Sequence, residues 1–214
     1  MANSYGRSTA GVRTAAGLGE VQRFDHESPM RLLSIANAVE MLLKSGPIAV
    51  DNRGHRLTLT TGRRARIRLD VPSDYSRVIS LSYVVAMSDV PSDDELDFIG
   101  ASIWIVDWNI WGEASDRVGC VLLDAVRLTA ETPRPIAEAP VISLGADEIG
   151  CAHALLTLSL IFQWDAYYVS GSNKFAAFAS HDGYIEVLVA DSLVERRMFD
   201  RFTRGGWSPE LVSP

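Results

Sequence analysis

The sequence predicts an α+β fold: an antiparallel β-sheet, arranged as a meander, sandwich or Greek key, with two main helices and a short C-terminal helix. Three observations carry that reading. Two segments, Leu32 to Leu43 and Ala146 to Gln163, place apolar residues at helical spacing. The stretches 48–129 and 166–189 string short apolar runs between turn residues, a pattern that argues against repeated βαβ units. At 214 residues and 47% hydrophobic, the chain can bury a core without disulfide staples.

Residues 1–27 show neither the helical nor the strand period and read as an N-terminal arm. Ser28 is an N-cap residue with Pro29 at the first helical position; Leu32, Leu33, Ile35, Ala36, Val39, Leu42 and Leu43 then line one helix face, which Gly46-Pro47 ends. Asn52-Arg53-Gly54 is a turn. Leu57 to Thr60 alternates, Thr61-Gly62 turns the chain, and Ala65, Ile67 and Leu69 alternate with Arg64, Arg66 and Arg68, which predicts a hairpin with one apolar and one arginine face. Val78 to Met87, Phe98 to Trp111 and Cys120 to Leu128 are expected as further strands, with an acidic loop from Asp89 to Asp97.

Pro133, Pro135 and Pro140 mark a connector near 130–140. The helix from about Ala146 to Gln163 has Asp147 and Glu148 at its positive end. Ala152, Leu155, Leu156, Ser159, Leu160 and Phe162 make it apolar around most of its circumference, as a buried central helix would be. Ala166 to Val169, Phe175 to Ala179 and Tyr184 to Val189 read as strands joined by turns, of which His181-Asp182-Gly183 is a good hairpin signal. A short helix from Ser192 to Phe202 precedes the tail. The expected organisation is an arm (1–27), one α+β domain (28–204) and a tail (205–214).

The net charge of −7 hides an uneven distribution. Residues 1–68 sum to +6, residues 69–195 to −15 and residues 196–214 to +2, and eighteen of the twenty bases are arginine. Such a division favours head-to-tail association between copies, or a basic arm on an anionic partner, and nucleic acid is one such partner. Two cysteines are too few for a disulfide framework, and no N-x-[ST] acceptor occurs, so a reducing, cytoplasmic setting is expected. The longest greasy segment, Ala154 to Phe162, is less than half the roughly 20 residues a membrane span needs. An acidic, soluble, intracellular protein without integral membrane association is the expectation.

Signatures of chemistry are sparse. The chain contains no G-x-x-x-x-G-K-[ST] loop and no G-x-S-x-G elbow, and Gly17-Leu18-Gly19 lacks a third glycine and a preceding strand. Ser180, His181 and Asp182 carry triad residue types but as sequence neighbours they point in opposed directions; the candidates for an active site built from scattered residues are His181, Asp165 and Glu186. Cys151 and His153 stand two apart on a helix and so on different faces, and a zinc site would have to recruit Cys120 and His55 or His26. Asp89 to Asp97 lacks the EF-hand order. No cofactor and no metal are expected.

Interaction residues stand out more. Arg63, Arg64, Arg66 and Arg68 form the only dense basic cluster, suited to backbone phosphates or to acidic side chains; interleaved aromatics for base stacking are missing. Asp93, Asp94, Glu95, Asp107 and Trp111 would form an acidic and aromatic surface for a basic partner. Together these features point to a non-enzymatic self-assembly or protein-interaction protein, coat- or matrix-like, forming homo-oligomers. The competing readings are an acidic inhibitor-type module and an enzyme without a recognisable motif.

Overall fold

The computed structural model describes residues 30–45, 48–50, 57–59, 65–89, 100–108 and 113–212. These form five helices and one eight-stranded sheet, antiparallel at every pairing, plus a separate two-stranded ribbon. The α+β class with an antiparallel sheet is thus the observed architecture. In chain order the elements are β1 (Arg31–Leu33), α1 (Ile35–Ser45), β2 (Ile48–Val50), β3 (Leu57–Leu59), β4 (Ala65–Asp70), α2 (Tyr75–Ala86), β5 (Ala101–Asp107), α3 (Glu113–Arg127), β6 (Val141–Leu144), α4 (Ile149–Ile161), β7 (Asp165–Ser170), β8 (Phe175–Ser180), β9 (Tyr184–Val189), α5 (Ser192–Arg204) and β10 (Glu210–Val212). The sheet order is β1-β6-β5-β7-β8-β9-β4-β10.

The meander β7-β8-β9 follows the sequence reading. Its second turn places Gly183 at φ +80, a left-handed conformation that glycine adopts without the Cβ clash. The expected central helix is α4, whose Ala152, Leu155, Leu156, Ser159 and Leu160 are buried against the sheet. Glu148 precedes it and accepts from the Met30 and Gly145 amides (3.1 and 2.7 Å), tying the start of β1 to the loop before α4. On α5, Asp191 caps the Leu193 and Val194 amides, and Val194, Met198 and Phe202 face the core.

The other sheet face is covered in part by α1, where Ala38 and Leu42 pack on Trp104, Val141, Tyr167, Val169, Ala176 and Leu188. Both faces of β5 are therefore core: Trp104 lies under α1, while Ile103 and Ile105 point to the α4 side. Trp164, Tyr167 and Tyr168 are likewise buried.

Several expectations are corrected. The first helix begins at Ile35, not near Pro29, because Arg31–Leu33 pairs with β6 as an edge strand; the Ser34 hydroxyl accepts from the Asn37 amide at 3.3 Å in the capping role expected of Ser28. β3 pairs with β2, and β4 pairs with β9 and β10, so the hairpin expected between 57–60 and 65–69 does not form. Val78 to Met87 is the helix α2: Val78, Leu81, Ser82 and Val85 recur at helical spacing on its buried face, and Asp74 caps the Ser76 and Arg77 amides. Its β-branched content suggested a strand, but packing against α4 decides. Cys120 to Leu128 belongs to the helix α3. Four strands were not anticipated: β1 in the expected first helix, β2 just after it, β6 after the proline connector and β10 in the tail.

Candidate interaction surfaces

The arginine-bearing strand β4 keeps Ala65, Ile67 and Leu69 in the core and turns Arg66 and Arg68 to the opposite face. Across the ladder Arg68 pairs with Glu186 and Asp70 with Tyr184. The Arg66 guanidinium is 3.2 Å from the Glu186 carboxylate, and Arg68 lies over the Tyr184 ring at 3.8 Å. Both arginines are thus engaged within the molecule, and Glu186 is an ion-pair partner. Arg63 and Arg64 lie outside the described residues, as do Asp93, Asp94, Glu95 and Trp111. Asp107 is exposed at the end of β5, opposite Asp165 in register.

His181 and Asp165 do come together. Asp165 Oδ1 accepts from the His181 backbone amide and sits 2.9 Å from Nδ1, while Nε2 is 3.5 Å from Asp182. The hydrogen bond to Asp165 raises the histidine pKa above its ordinary value, with Asp182 and Asp107 adding in the same direction. This pair holds a proton on an open hairpin. The nearby Ser180 hydroxyl instead accepts from the Asp182 amide, so the arrangement lacks the nucleophile–base contact of a triad. Cys120 and Cys151 are free, half-buried thiols pushed above their ordinary pKa by burial and by acidic neighbours, the opposite of an activated nucleophile. His153 stacks edge-on against Tyr83 and lies 3.0 Å from the Ile79 carbonyl. Among the described residues no three metal-ligating side chains converge.

The surface that sequence reasoning missed is the outer face of α3. Val118, Val121, Leu122 and Leu128 are exposed, Val118 at 64% and Leu128 at 70%, with Ala125 exposed between them. Inside lie Asp116 and Arg127, each only 2% exposed, with Gly119 and Leu123. Leu123 lies in the core with Cys120 and Val126 packed beside it, so the inward face mixes apolar side chains with Asp116 and Arg127, while an apolar stripe also faces outward. Asp116 Oδ2 and Arg127 Nη1 have no hydrogen-bond partner among the described residues; Arg127 Nη2 donates to the Arg134 carbonyl at 2.6 Å. Gly119 makes the inward face possible, because a Cβ there would stand 2.7 Å from the Phe162 ring and 2.8 Å from Trp164.

At its C-terminal end α3 opens into a cleft of about 360 Å³ lined by Asp124, Arg127, Leu128, Pro133, Arg134 and Pro135. The apolar stripe and the cleft share Leu128 and are one continuous surface. Its signal was present as Val118, Val121, Leu122, Ala125 and Leu128 at spacings of three and four, but reading 120–128 as a strand split it between two faces. No helix among the described residues is long and apolar enough to cross a membrane. No protein-family model, curated protein or solved structure matches the chain.

Proposed function

We propose that the chain is a non-enzymatic protein-interaction protein that self-associates by packing α3 against α3 of a second copy. The observation that carries this reading is the outward apolar stripe of α3 above a buried Asp116 and Arg127. Water contact with four large aliphatic side chains on one helix is unfavourable by roughly 25 cal/mol per Å², and contiguous apolar patches of this kind mark contact surfaces.

A second copy is the partner whose apolar face fits, because the stripe is self-complementary about a two-fold axis. Val118, Val121, Ala125 and Leu128 occupy the a and d positions of a heptad, with Leu122 beside them, and Arg117 and Asp124 occupy the flanking positions before each a. Two-fold antiparallel pairing sets Val118 against Leu128 and Val121 against Ala125 of the other copy, with Asp124 of each copy near Asp124 of the other, and the contact repeats by symmetry. Parallel pairing would place Arg117 and Asp124 opposite Leu122 and Thr129. One helix pair buries less than the roughly 1,200–2,000 Å² of a standard interface, so the dimer is expected in the micromolar range.

Light scattering after size-exclusion chromatography tests this. The wild-type chain should move from 23.4 kDa toward twice that mass between low and high micromolar concentration. Val121→Glu with Leu128→Glu should remain monomeric with an unchanged melting profile. Asp124→Asn should strengthen the dimer by removing the like-charge pair across the two-fold axis. A wild-type monomer at every concentration, or a dimer indifferent to the two glutamates, overturns the reading.

A further inference from the structure

We propose that the cleft along α5 is a binding site for a small phosphate-bearing ligand, held by the guanidinium groups of Arg196, Arg197, Arg201 and Arg204. It lies on a different element from the α3 surface and does not depend on self-association. Val194, Met198 and Phe202 anchor the helix in the core with Phe199 packed beside them, and the opposite side of the helix faces outward. There, Leu193, Arg196, Arg197, Asp200, Arg201 and Arg204 line a cleft of about 330 Å³. Four cations and a single carboxylate converge on a volume that suits a small anion with its first water shell.

Among the described residues none of the four arginines forms a salt bridge. Arg201 is half-buried and fixed: its Nη1 donates to the Met87 carbonyl at the C-terminal cap of α2, where a helix end favours positive charge. Burial, with Arg197 and Arg204 on the same helix, works against its charged form. Like charges held this close cost free energy that a multiply charged oxyanion recovers, because it can accept paired N–H bonds from more than one guanidinium. Exposed Leu193, which lines the cleft beside the arginines, supplies an apolar rim for an organic group carried by the phosphate.

Calorimetric titration of the full chain with inorganic pyrophosphate, near physiological ionic strength, reads the site directly. Saturable one-to-one binding is expected, weaker by at least about tenfold in Arg197→Gln with Arg204→Gln and unchanged in Arg31→Gln. Replacing the same two arginines with lysine keeps the charge but removes the planar fork, and should also weaken binding. Both pairs of substitutions are on the solvent side, and an unchanged melting temperature certifies their fold. Absence of saturable binding, an affinity indifferent to the Gln pair, or full binding by the Lys pair overturns the proposal, the last by reducing the site to diffuse charge.

Discussion

Helices α3 and α4 are near neighbours of similar length whose surfaces are used in opposite ways. α4 is apolar almost all round and lies on the sheet, between it and α2, so every face finds an apolar partner. α3 buries Leu123, Cys120 and Val126 together with Asp116 and Arg127, and leaves a second apolar stripe outside. Amphipathicity therefore establishes that a helix has two sides without saying which is core; what the neighbours can accept decides. Phe162 and Trp164, stacked at 5.5 Å, leave room only for a glycine at closest approach, and the narrow inward strip of Gly119 and Leu123 fits that room where Val121 and Leu122 would not. The consequence is a buried Asp116 and Arg127 with atoms that find no partner among the described residues, a group of this kind costing about 1–3 kcal/mol when it stays unpaired, and an apolar stripe left for a second molecule.

The sharpest way to break this comparison is to truncate one residue on each helix. Leu155→Ala on α4 removes a fully buried side chain and should cost about 2–5 kcal/mol in denaturant unfolding. The outward α3 substitutions at Val121 and Leu128 should leave monomer stability within about 0.5 kcal/mol. Equal losses at both places would mean that the outer face of α3 is core. A smaller effect probes the contact that sets the orientation: Gly119→Ala should destabilise by about 1–3 kcal/mol although alanine is the better helix former, because its Cβ meets aromatic rings that are themselves packed. A gain in stability there would show that α3 has room to turn.

The uneven legibility of the sequence has the same physical origin. β7, β8, β9, α4 and α5 were readable because local pattern and tertiary environment agree: short apolar runs flanked by turn residues, a circumferentially apolar helix, and an Asp cap followed by Val194, Met198 and Phe202. α2 and α3 were misread because Val78, Ile79, Val84 and Val85, and Val121 and Val126, are β-branched, and the Asp74 cap of α2 was not weighed against that composition. β1, β6 and β10 are strands of three or four residues, two of them at the edges of the sheet, which exist because a partner is available to pair with. Of the candidate residues, the pairing of His181 with Asp165 and of Arg66 with Glu186 depends on strand order and register, which no local pattern encodes.

The smallest expected effect sharpens the comparison from its polar side. Where α3 buries charge without full partners among the described residues, the hairpin after β8 keeps His181 and Asp165 paired in contact with water, with the His181 side chain 37% exposed. Its pKa is raised in the folded state, so the folded chain holds this proton more tightly than the unfolded one. The stabilisation is fully present below the unfolded-state value of about 6.5 and is lost as pH rises through the folded-state value. Proton NMR of the His181 ring should give a midpoint above that of an unstructured histidine. Asp165→Asn isolates the charge, because the amide oxygen still accepts from the His181 backbone N–H. In that variant the midpoint should fall and unfolding free energy should vary less between pH 5.5 and 8; an unmoved midpoint would show that the pair is a hydrogen bond without electrostatic consequence.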